Sequence, residues 1–450
     1  MRKLVTVAIG CLCLVSMLAW LHVPQQESRQ FWAQWRGPDA TGVAPHGDPP
    51  LEWSEEKNVQ WKVEIPGKGS GSPIVWDDRV FVLTAIPMGT RAESQAPQPG
   101  QESGRSRGRG MHSVAPTEIH EFAIFAIRRD DGSVLWRRTA REEMPHEGKH
   151  QYGTWASSSA VTDGAHVYAY FGSRGLYCYD MEGNLRWEKD LGDMTKRMGF
   201  GEGSSPTLSG DKLIINWDHE GQSFIVALDK STGEEIWRNE RDEITSWTTP
   251  IVVEHEGRHQ VITSATNRVR SYDLDTGELI WDGGGVTMNA IPSPVAADGL
   301  IYVTSGFMGN ALRAIRLAAA KGDITGSGAI VWEHDRDTPY VPSPLLYGDN
   351  LYLLKSNSAI LTSFDAKSGK VHYGPIRLEG MQEVFASPVG AANRVYIVGR
   401  DGSTLVIGNG PEFEVLASNS LDDGFDASPA IVDQEIYLRG YRFLYRISGS

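Results

Sequence analysis

The chain has 450 residues, of which 40% are hydrophobic, 9% aromatic and 22% charged, with 49 glycines and 14 tryptophans. This composition excludes a disordered or collagen-like chain and favours a globular fold with many turns and short strands. The formal net charge of −14 argues against nucleic acid as a partner, because sequence-independent binding needs Lys and Arg to neutralise phosphates.

The N-terminal segment predicts export. Arg2 and Lys3 precede a largely apolar run from Leu4 to Val23, which is the pattern of a signal peptide. The run is also long enough to remain as a membrane anchor, and lipid attachment at Cys11 is a third option. We therefore expect residues 1–23 to be a signal peptide or an anchor, and the rest to lie in the periplasm or at the cell surface. Cys178 is the one cysteine beyond this segment, so no intramolecular disulfide is expected.

Two segments depart from the pattern of the remaining chain. Residues 24–54 form an N-terminal extension, in which Trp32 and Trp35 of "FWAQWRGPDATG" are apolar enough to need a docking surface. We expect them to dock on the flank of the domain that follows. Residues 87–118 are rich in Gly, Ser, Pro, Gln and Arg and are predicted to form a disordered insertion. A shorter insertion covers residues 318–328.

A strand–turn–strand unit recurs along the chain. Its copies read "RRDDGSVLW" (128–136), "DMEGNLRW" (180–187), "DKSTGEEIW" (229–237), "DLDTGELIW" (273–281) and "DAKSGKVHY" (365–373). The leading Asp can accept hydrogen bonds from turn amides, and Gly can adopt the positive φ that closes the turn. Asp275-Thr276-Gly277 is therefore predicted to be a turn and not the catalytic tripeptide of an aspartic protease.

A second recurring element marks the start of each unit. Ser-Pro or Thr-Pro occurs at Pro73, Pro206, Pro250, Pro294, Pro344, Pro388 and Pro429, and Ala160 takes the place of Pro in one further unit. From Pro206 onward the intervals are 44, 44, 50, 44 and 41 residues, close to the period of a four-stranded propeller blade. The last unit has only three strands, and "NVQWKVEIPG" near the N-terminus offers a spare strand. We predict an all-β, eight-bladed β-propeller over residues 55–450, closed by this N-terminal strand.

The eight units, and the consensus visible in "ALDKSTGEEIW", resemble the quinoprotein-type (PQQ-like) eight-bladed β-propeller family over about residues 55–450. Its members include quinone-dependent alcohol dehydrogenases and the propeller lipoprotein of the outer-membrane barrel-assembly machinery. The resemblance implies that one aromatic residue of each outer strand docks against the next blade. These residues are Trp61, Trp136, Trp187, Trp237, Trp281 and Trp332, with Tyr373 in blade six and the segment around Leu416 in blade seven forming weaker joints.

The connections from an outer strand into the next innermost strand should converge at one end of the central channel, where propellers usually bind ligands. Nearly all of them carry an aromatic residue. We predict that these residues either form a binding surface for a planar ligand, a sugar or a peptide, or only pack the channel. They are Tyr152, Trp155, Phe200, Trp247, Tyr340, Phe385 and Phe425.

The sequence contains candidate residues for two kinds of metal site. In the quinone dehydrogenases a Glu and an Asn bind Ca²⁺ and an Asp acts as base; by resemblance these would be Glu202, Asn289 and Asp337. The adjacent cysteine pair and the haem motif of those enzymes are missing from this sequence. "HEGKH" (146–150) and "HEGRH" (255–259) match a zinc signature that requires a helix, but neither segment has a helical pattern, so no zinc site is expected.

The sequence therefore favours an exported, non-catalytic and monomeric propeller without a cofactor. Such a protein would act as a binding or assembly scaffold, with protein partners in the cell envelope or a small ligand at the channel. The alternative function is a PQQ- and calcium-dependent alcohol or sugar dehydrogenase that uses Glu202, Asn289 and Asp337.

Overall fold

The fold is a ring of eight small β-sheets, so the eight-bladed propeller is confirmed. A computed structural model describes residues 29–91 and 113–449. Each sheet is one blade, and its strands run from the innermost strand at the channel to the outer strand at the rim. In the described part of the chain no helix has the length and hydropathy to cross a bilayer. The predicted signal or anchor, residues 1–23, lies outside the described residues.

Blades one to four each contain four antiparallel strands in chain order. The strands of blade one are Ile74–Trp76, Arg79–Arg91, Glu118–Arg128 and Val134–Glu143. Those of blade two are Val161–Thr162, His166–Tyr170, Leu176–Asp180 and Leu185–Lys189. Those of blade three are Thr207–Ser209, Lys212–Trp217, Ser223–Asp229 and Glu235–Arg241. Those of blade four are Ile251–His255, Arg258–Thr263, Arg268–Asp273 and Leu279–Gly284.

Blades five to eight repeat this arrangement, and the last blade closes the ring. The strands of blade five are Val295–Ala297, Leu300–Ser305, Ala311–Arg316 and Ile330–His334. Those of blade six are Leu345–Tyr347, Asn350–Leu354, Ile360–Asp365 and Val371–Arg377. Those of blade seven are Val389–Ala391, Arg394–Val398, Ser403–Gly408 and Val415–Ser420. Those of blade eight are Ala430–Val432, Glu435–Arg439, Phe443–Ser448 and, from the N-terminal side, Val59–Glu64.

Short elements decorate this ring. Val43–Ala44 pairs in parallel with blade seven, Gly322–Asp323 with the outer strand of blade four, and Ser113–Val114 pairs with Lys149–His150. The 3₁₀ turns are Gly172–Arg174, Arg197–Gly199 and Leu317–Ala319. The predicted bounds of the disordered insertion, residues 87 and 118, are wrong at both ends. Strands extend to Arg91 and resume at Ser113. Its middle, residues 92–112, lies outside the described residues.

The Ser/Thr-Pro signal has a physical cause at the channel wall. In seven places, a residue that precedes Pro or Ala160 donates its backbone N–H to the hydroxyl of the equivalent residue in the next blade, at 2.9 to 3.0 Å. The Ser72 hydroxyl, which would complete the circle, has no partner. We call this set the hydroxyl ring: Ser72, Ser159, Ser205, Thr249, Ser293, Ser343, Ser387 and Ser428.

Tryptophans join the blades at the rim. Five of them donate the indole N–H to a backbone carbonyl in the Asp-containing turn of the next blade, at 2.8 to 3.0 Å: Trp61, Trp136, Trp187, Trp237 and Trp332. The turn glycine lies under the ring. At Gly277, with φ of +75°, a Cβ would lie 2.7 Å from the Trp237 ring. The positive φ and the close approach both require glycine there.

Trp281 and Tyr373 form different joints. The Trp281 indole donates to Gln260 of its own blade at 3.2 Å, and Leu317 and Ile324 pack in the same buried cluster. Trp281 shares a buried cluster with Ile301 and Ile315 of blade five and with Ile324 of the 318–328 insertion, so it packs against the next blade without the hydrogen bond to a turn that the other tryptophans make. The Tyr373 ring lies 5.6 Å from Phe413 of blade seven.

The Asp275 tripeptide is an exposed turn. The Asp273 carboxylate accepts hydrogen bonds from the backbone N–H groups of Asp275 and Thr276 at 3.0 and 2.8 Å. Asp275 itself is exposed and lies 3.0 Å from Lys212. This geometry is that of a closed turn.

The N-terminal extension fills one end of the channel instead of lying on the flank. Trp32 is 1% exposed and exchanges backbone hydrogen bonds with Val75 of the innermost strand of blade one. Arg36 is 2% exposed and reaches blades six and seven. The chain then returns to the first turn of blade eight, where Asp48 N–H donates to Asp433 O at 2.6 Å. The predicted docking on the flank is therefore wrong, because the channel of the ring supplies a more enclosed apolar surface.

Candidate functional site

The connections into the innermost strands lie at one end of the channel, which we call the mouth. The hairpins between second and third strands lie at the same end, because successive strands of a blade run in opposite directions. The opposite end carries the Asp-containing turns and is filled by the extension. A ligand or partner would therefore reach the channel from the mouth.

Glu202 lies on the connection from blade two into blade three. One of its carboxylate oxygens accepts the backbone N–H of Ser173 at 2.7 Å, and the other accepts the Ser173 hydroxyl at 2.5 Å. The chain comes this close because residue 172 is glycine: its φ is +58°, and a Cβ would lie 1.4 Å from Glu202 Oε2. Burial raises the pKa of Glu202 above its ordinary value.

Glu147 and His146 lie beside Glu202. Both Glu147 oxygens accept the backbone N–H of Lys196, at 3.1 and 3.0 Å. Burial raises the pKa of Glu147 to about 7, and the negative charge of Glu202 adds to this effect. Ligand atoms of His146, Glu147 and Glu202 lie within 4.8 Å of one another, next to a cavity of about 20 Å³. This group is thus a carboxyl pair beside an imidazole.

The surroundings of His146 decide what this group can do. Its Nδ1 lies 3.0 Å from Arg174 Nη2 and its Nε2 lies 2.6 Å from the Met194 carbonyl, so Nδ1 accepts and Nε2–H donates. Both ring nitrogens are therefore occupied. The positive charge of Lys196 acts on both carboxyl groups, whereas Arg174 forms ion pairs with Glu143 and Asp193. The negative charge of Glu202 disfavours ionisation of Glu147, and a metal ion would first have to displace Arg174 from His146.

The two zinc-signature segments are not helical. His150 belongs to the short strand Lys149–His150, and its ring lies 5.1 Å from Phe200. His255 and His259 lie in the first two strands of blade four, with Glu256 and Gly257 at positive φ in the hairpin turn between them. The helical geometry that the zinc motif needs is absent from both described segments.

Tyr152, Phe385 and Arg400 form an aromatic–guanidinium cluster across the mouth. The two rings lie 5.9 Å apart, and Arg400 Cζ lies 4.3 and 4.1 Å from their centroids. Tyr152 comes from the connection into blade two and Phe385 from the connection into blade seven, which are not neighbours in the ring. Arg400 is fixed by ion pairs with Asp426 at 2.6 Å and Glu383 at 2.8 Å. Tyr152 remains 42% exposed.

Trp155, Trp247 and Tyr340 are partly exposed rings of the mouth. Trp155 Nε1 donates to the Glu147 carbonyl at 3.2 Å, and Trp247 Nε1 donates to the Gly201 carbonyl at 2.7 Å. The Tyr340 ring stacks on Phe307 at 4.9 Å. Their binding of a ligand stays a prediction.

Phe200 and Phe425 are buried, as in the packing alternative. Phe200 is 8% exposed and packs against His150, whereas Phe425 is 0% exposed and lies 5.9 Å from Tyr445 in the core of blade eight. Both rings pack connections onto the blades and offer almost no surface to a ligand. Sequence position placed them on the correct connections but could not show which way each ring turns.

Trp247 links the neighbours of Glu202 and Asn289. Its indole donates to Gly201, as above, and its backbone N–H donates to the Ala290 carbonyl at 2.8 Å. Asn289 is 1% exposed; its Nδ2 lies 3.4 Å from the Tyr340 hydroxyl, and its Oδ1 has no partner.

The donor set expected for calcium and PQQ fits only in part. Asn289 Oδ1 is a free oxygen, but both Glu202 oxygens are already bonded to Ser173. Asp337 lies 2.7 Å from Lys355 Nζ, so its carboxylate is paired with an ammonium group. Of the three residues, Asn289 alone has a buried oxygen in need of a partner.

A buried ion pair supports this side of the mouth and was missed in the sequence. The side chains of Asp218 and Arg241 are fully buried, with Oδ1 and Nε 2.8 Å apart. Ser246 Oγ donates to Asp218 Oδ2 at 2.6 Å, and Lys196 Nζ donates to the Ser246 carbonyl at 3.1 Å. The one signal in the sequence was a charged residue directly after the apolar strand Lys212–Trp217. Removing either partner would leave an unpaired buried charge.

Fold and repeats together define a PQQ-type propeller. A family model described as outer membrane protein assembly factor BamB matches residues 120–283 and 221–440. These matches cover more than half of the chain, so the protein belongs to this family.

Individual relatives are similar over parts of the chain. An outer membrane protein assembly factor BamB of Francisella salina is 26% identical over 175 residues, which are 38% of this chain and 30% of that relative. The chain therefore matches less than a third of the length of this curated relative.

Solved structures share the fold. BamB of Moraxella catarrhalis has a TM-score of 0.53 and 13% identity, over 75% of this chain and 95% of that one. The quinohemoprotein alcohol dehydrogenase of Comamonas testosteroni has a TM-score of 0.62 and 12% identity, over 94% and 81%. At these identities the likeness concerns the fold alone.

Proposed function

We propose that this protein is a binding scaffold of the cell envelope and that its protein partner docks on the mouth. The observation that carries this proposal is the asymmetry of the channel ends. One end is filled by Trp32 and Arg36 of the chain itself, while the mouth presents exposed, adaptable side chains. Membership of a family described as an outer membrane assembly factor supports a role in assembly.

The exposed residues of the mouth are of the kind that form protein interfaces. Tyr152 is 42% exposed, Met198 55%, Met308 77% and Tyr441 45%. They lie on connections or on hairpins between second and third strands, and hence at the same end of the ring. Tyr is enriched at interfaces and Met adapts to irregular partner surfaces. Arg400, which contacts both Tyr152 and Tyr441, adds a planar donor at the centre of this set.

Site-specific photo-crosslinking in intact cells tests the scaffold. A photoreactive residue at position 152 or 308 should give a discrete adduct with an envelope protein. The matched control is position 279, where Leu279 is 52% exposed but begins an outer strand near the opposite end. Equal yields of adduct from all three positions, or no adduct from positions 152 and 308, would contradict the proposal.

A second candidate function is the PQQ- and calcium-dependent dehydrogenase, favoured by the unpartnered Oδ1 of Asn289. When bound, the quinone would supply the oxidising group, and Glu202 and Asn289 are the residues that would hold Ca²⁺. Purified protein incubated with PQQ and Ca²⁺ should then show a bound-quinone spectrum and dye-linked oxidation of an alcohol or sugar. Loss of that spectrum in Asn289→Ala, with the fold retained, is the expected control result; absence of quinone binding removes this candidate.

A further inference from the structure

Arg36 is a buried cation without a carboxylate. Its Nη1 donates to the Pro388 carbonyl at 2.7 Å, and its Nη2 donates to the carbonyls of Pro344 and Thr41 at 2.6 and 2.9 Å. Its Nε–H has no partner. In the described part of the chain no carboxylate forms an ion pair with it. Burial lowers the pKa of Arg36 to about 9, as expected for a guanidinium surrounded only by neutral groups.

Two hydroxyl groups of the hydroxyl ring resemble the Nε–H of Arg36, because in the described residues their protons are not donated to an acceptor. The Thr249 hydroxyl accepts the N–H of Ser205, and the Ser293 hydroxyl accepts the N–H of Thr249, both at 3.0 Å. Among residues 29–91 and 113–449, neither hydroxyl proton has an acceptor. A buried donor that lacks an acceptor costs about 1–3 kcal/mol, so this part of the channel is rich in donors and poor in acceptors.

These groups border one cavity. A space of about 10 Å³ is lined by Arg36, Thr249 and Ser293, together with Trp35, Thr207 and Ile251. Because the centre of a water-sized sphere can move through this volume, the cavity has room for one small group. A neutral water would accept hydrogen bonds there but would leave the positive charge of Arg36 uncompensated.

We propose that this cavity binds a small inorganic anion of about the size of chloride. The anion would accept the Nε–H of Arg36 and the hydroxyl protons of Thr249 and Ser293, and it would neutralise the guanidinium. It would thereby fix the N-terminal extension inside the channel. This site lies at the filled end of the channel and is independent of the mouth and of the proposed scaffold function.

Arg439 provides the matched control. It is also a buried arginine, 1% exposed, with an Nε that has no partner. Burial lowers its pKa to about 10, but the carboxylate of Asp423 opposes that effect. Since Arg439 already has a compensating negative charge nearby, it should not need an anion.

Two measurements test the proposal on the full mature chain. Crystals grown in sodium bromide should show an anomalous peak beside Arg36 Nε. In solution, the melting temperature should rise with each tenfold increase of chloride at constant ionic strength, with gluconate as the replacing anion, because a ligand stabilises the state it binds. Arg36→Met should abolish the chloride-specific rise, and Arg439→Met should retain it.

Other results would contradict the proposal. Equal melting temperatures in chloride and gluconate would overturn the proposal, as would an isotropic water peak without anomalous signal at this position. A bromide peak with no chloride dependence in solution would mean an adventitious ion only. If Arg36→Met fails to fold, the bromide peak and the chloride dependence of the wild-type protein still decide the question.

Discussion

The two ends of the channel differ in the burial of their side chains and in the groups that hold them. At the filled end, Trp32 and Arg36 are almost completely buried and are held by backbone groups of blades one, six and seven. At the mouth, charged side chains pair with one another and Tyr152 remains exposed. The difference teaches that one end of this propeller contributes to stability, whereas the other keeps exposed side chains at the place where we propose that a partner docks.

The largest test of this comparison is Trp32→Ala. Removing a buried indole should lower the free energy of unfolding by about 3–5 kcal/mol, since the ring lies within the core shared by blades one, seven and eight. Tyr152→Ala at the mouth should cost less than about 1 kcal/mol. Urea denaturation followed by circular dichroism measures both. Similar losses for the two variants would break the distinction between the ends.

Two serine variants of the hydroxyl ring, which lies between the two ends, should show smaller losses of stability and can be compared with each other. Ser343→Ala removes the acceptor of the Ser293 N–H at 2.9 Å and should cost about 1–3 kcal/mol, because a buried donor is left unsatisfied. Ser72→Ala removes a hydroxyl that has no partner, and its stability should stay within about 0.5 kcal/mol of the wild type. Denaturation midpoints of the two variants check the difference. A Ser72→Ala loss as large as that of Ser343→Ala would contradict the open link between blades eight and one.

Most of the fold could be predicted from the sequence repeat. Blade number, ring closure by Val59–Glu64 and five rim tryptophans followed from periodic residues, because every blade repeats the same local turn and strand pattern. The exceptions arose where the chain departs from the repeat. Trp281 is covered by an insertion, and the extension enters the channel. Neither contact is local in sequence, so no periodicity could indicate it.

For the candidate site, the sequence could predict only its location in the fold. The connections were correctly assigned to one end, but the orientation of Phe200 and Phe425 depends on packing that sequence spacing does not encode. Likewise, Glu202 was singled out by resemblance, whereas its proximity to Glu147 and His146 requires the connections into blades two and three to meet. Sites built from separate blades are therefore visible only once the ring is closed.

The last prediction is a pH dependence of stability at the mouth. The pKa of Glu147 is raised from 4.5 to about 7 in the folded protein, so the native state holds a proton that the unfolded chain releases. Stability from this group is full below pH 4.5 and is lost as pH rises through about 7. Glu147→Gln should reduce the fall in urea midpoint between pH 5 and 7, while Glu278→Gln, on an exposed turn, should leave it unchanged. An unaltered pH profile in Glu147→Gln would mean that the pKa of Glu147 is not raised in the folded protein.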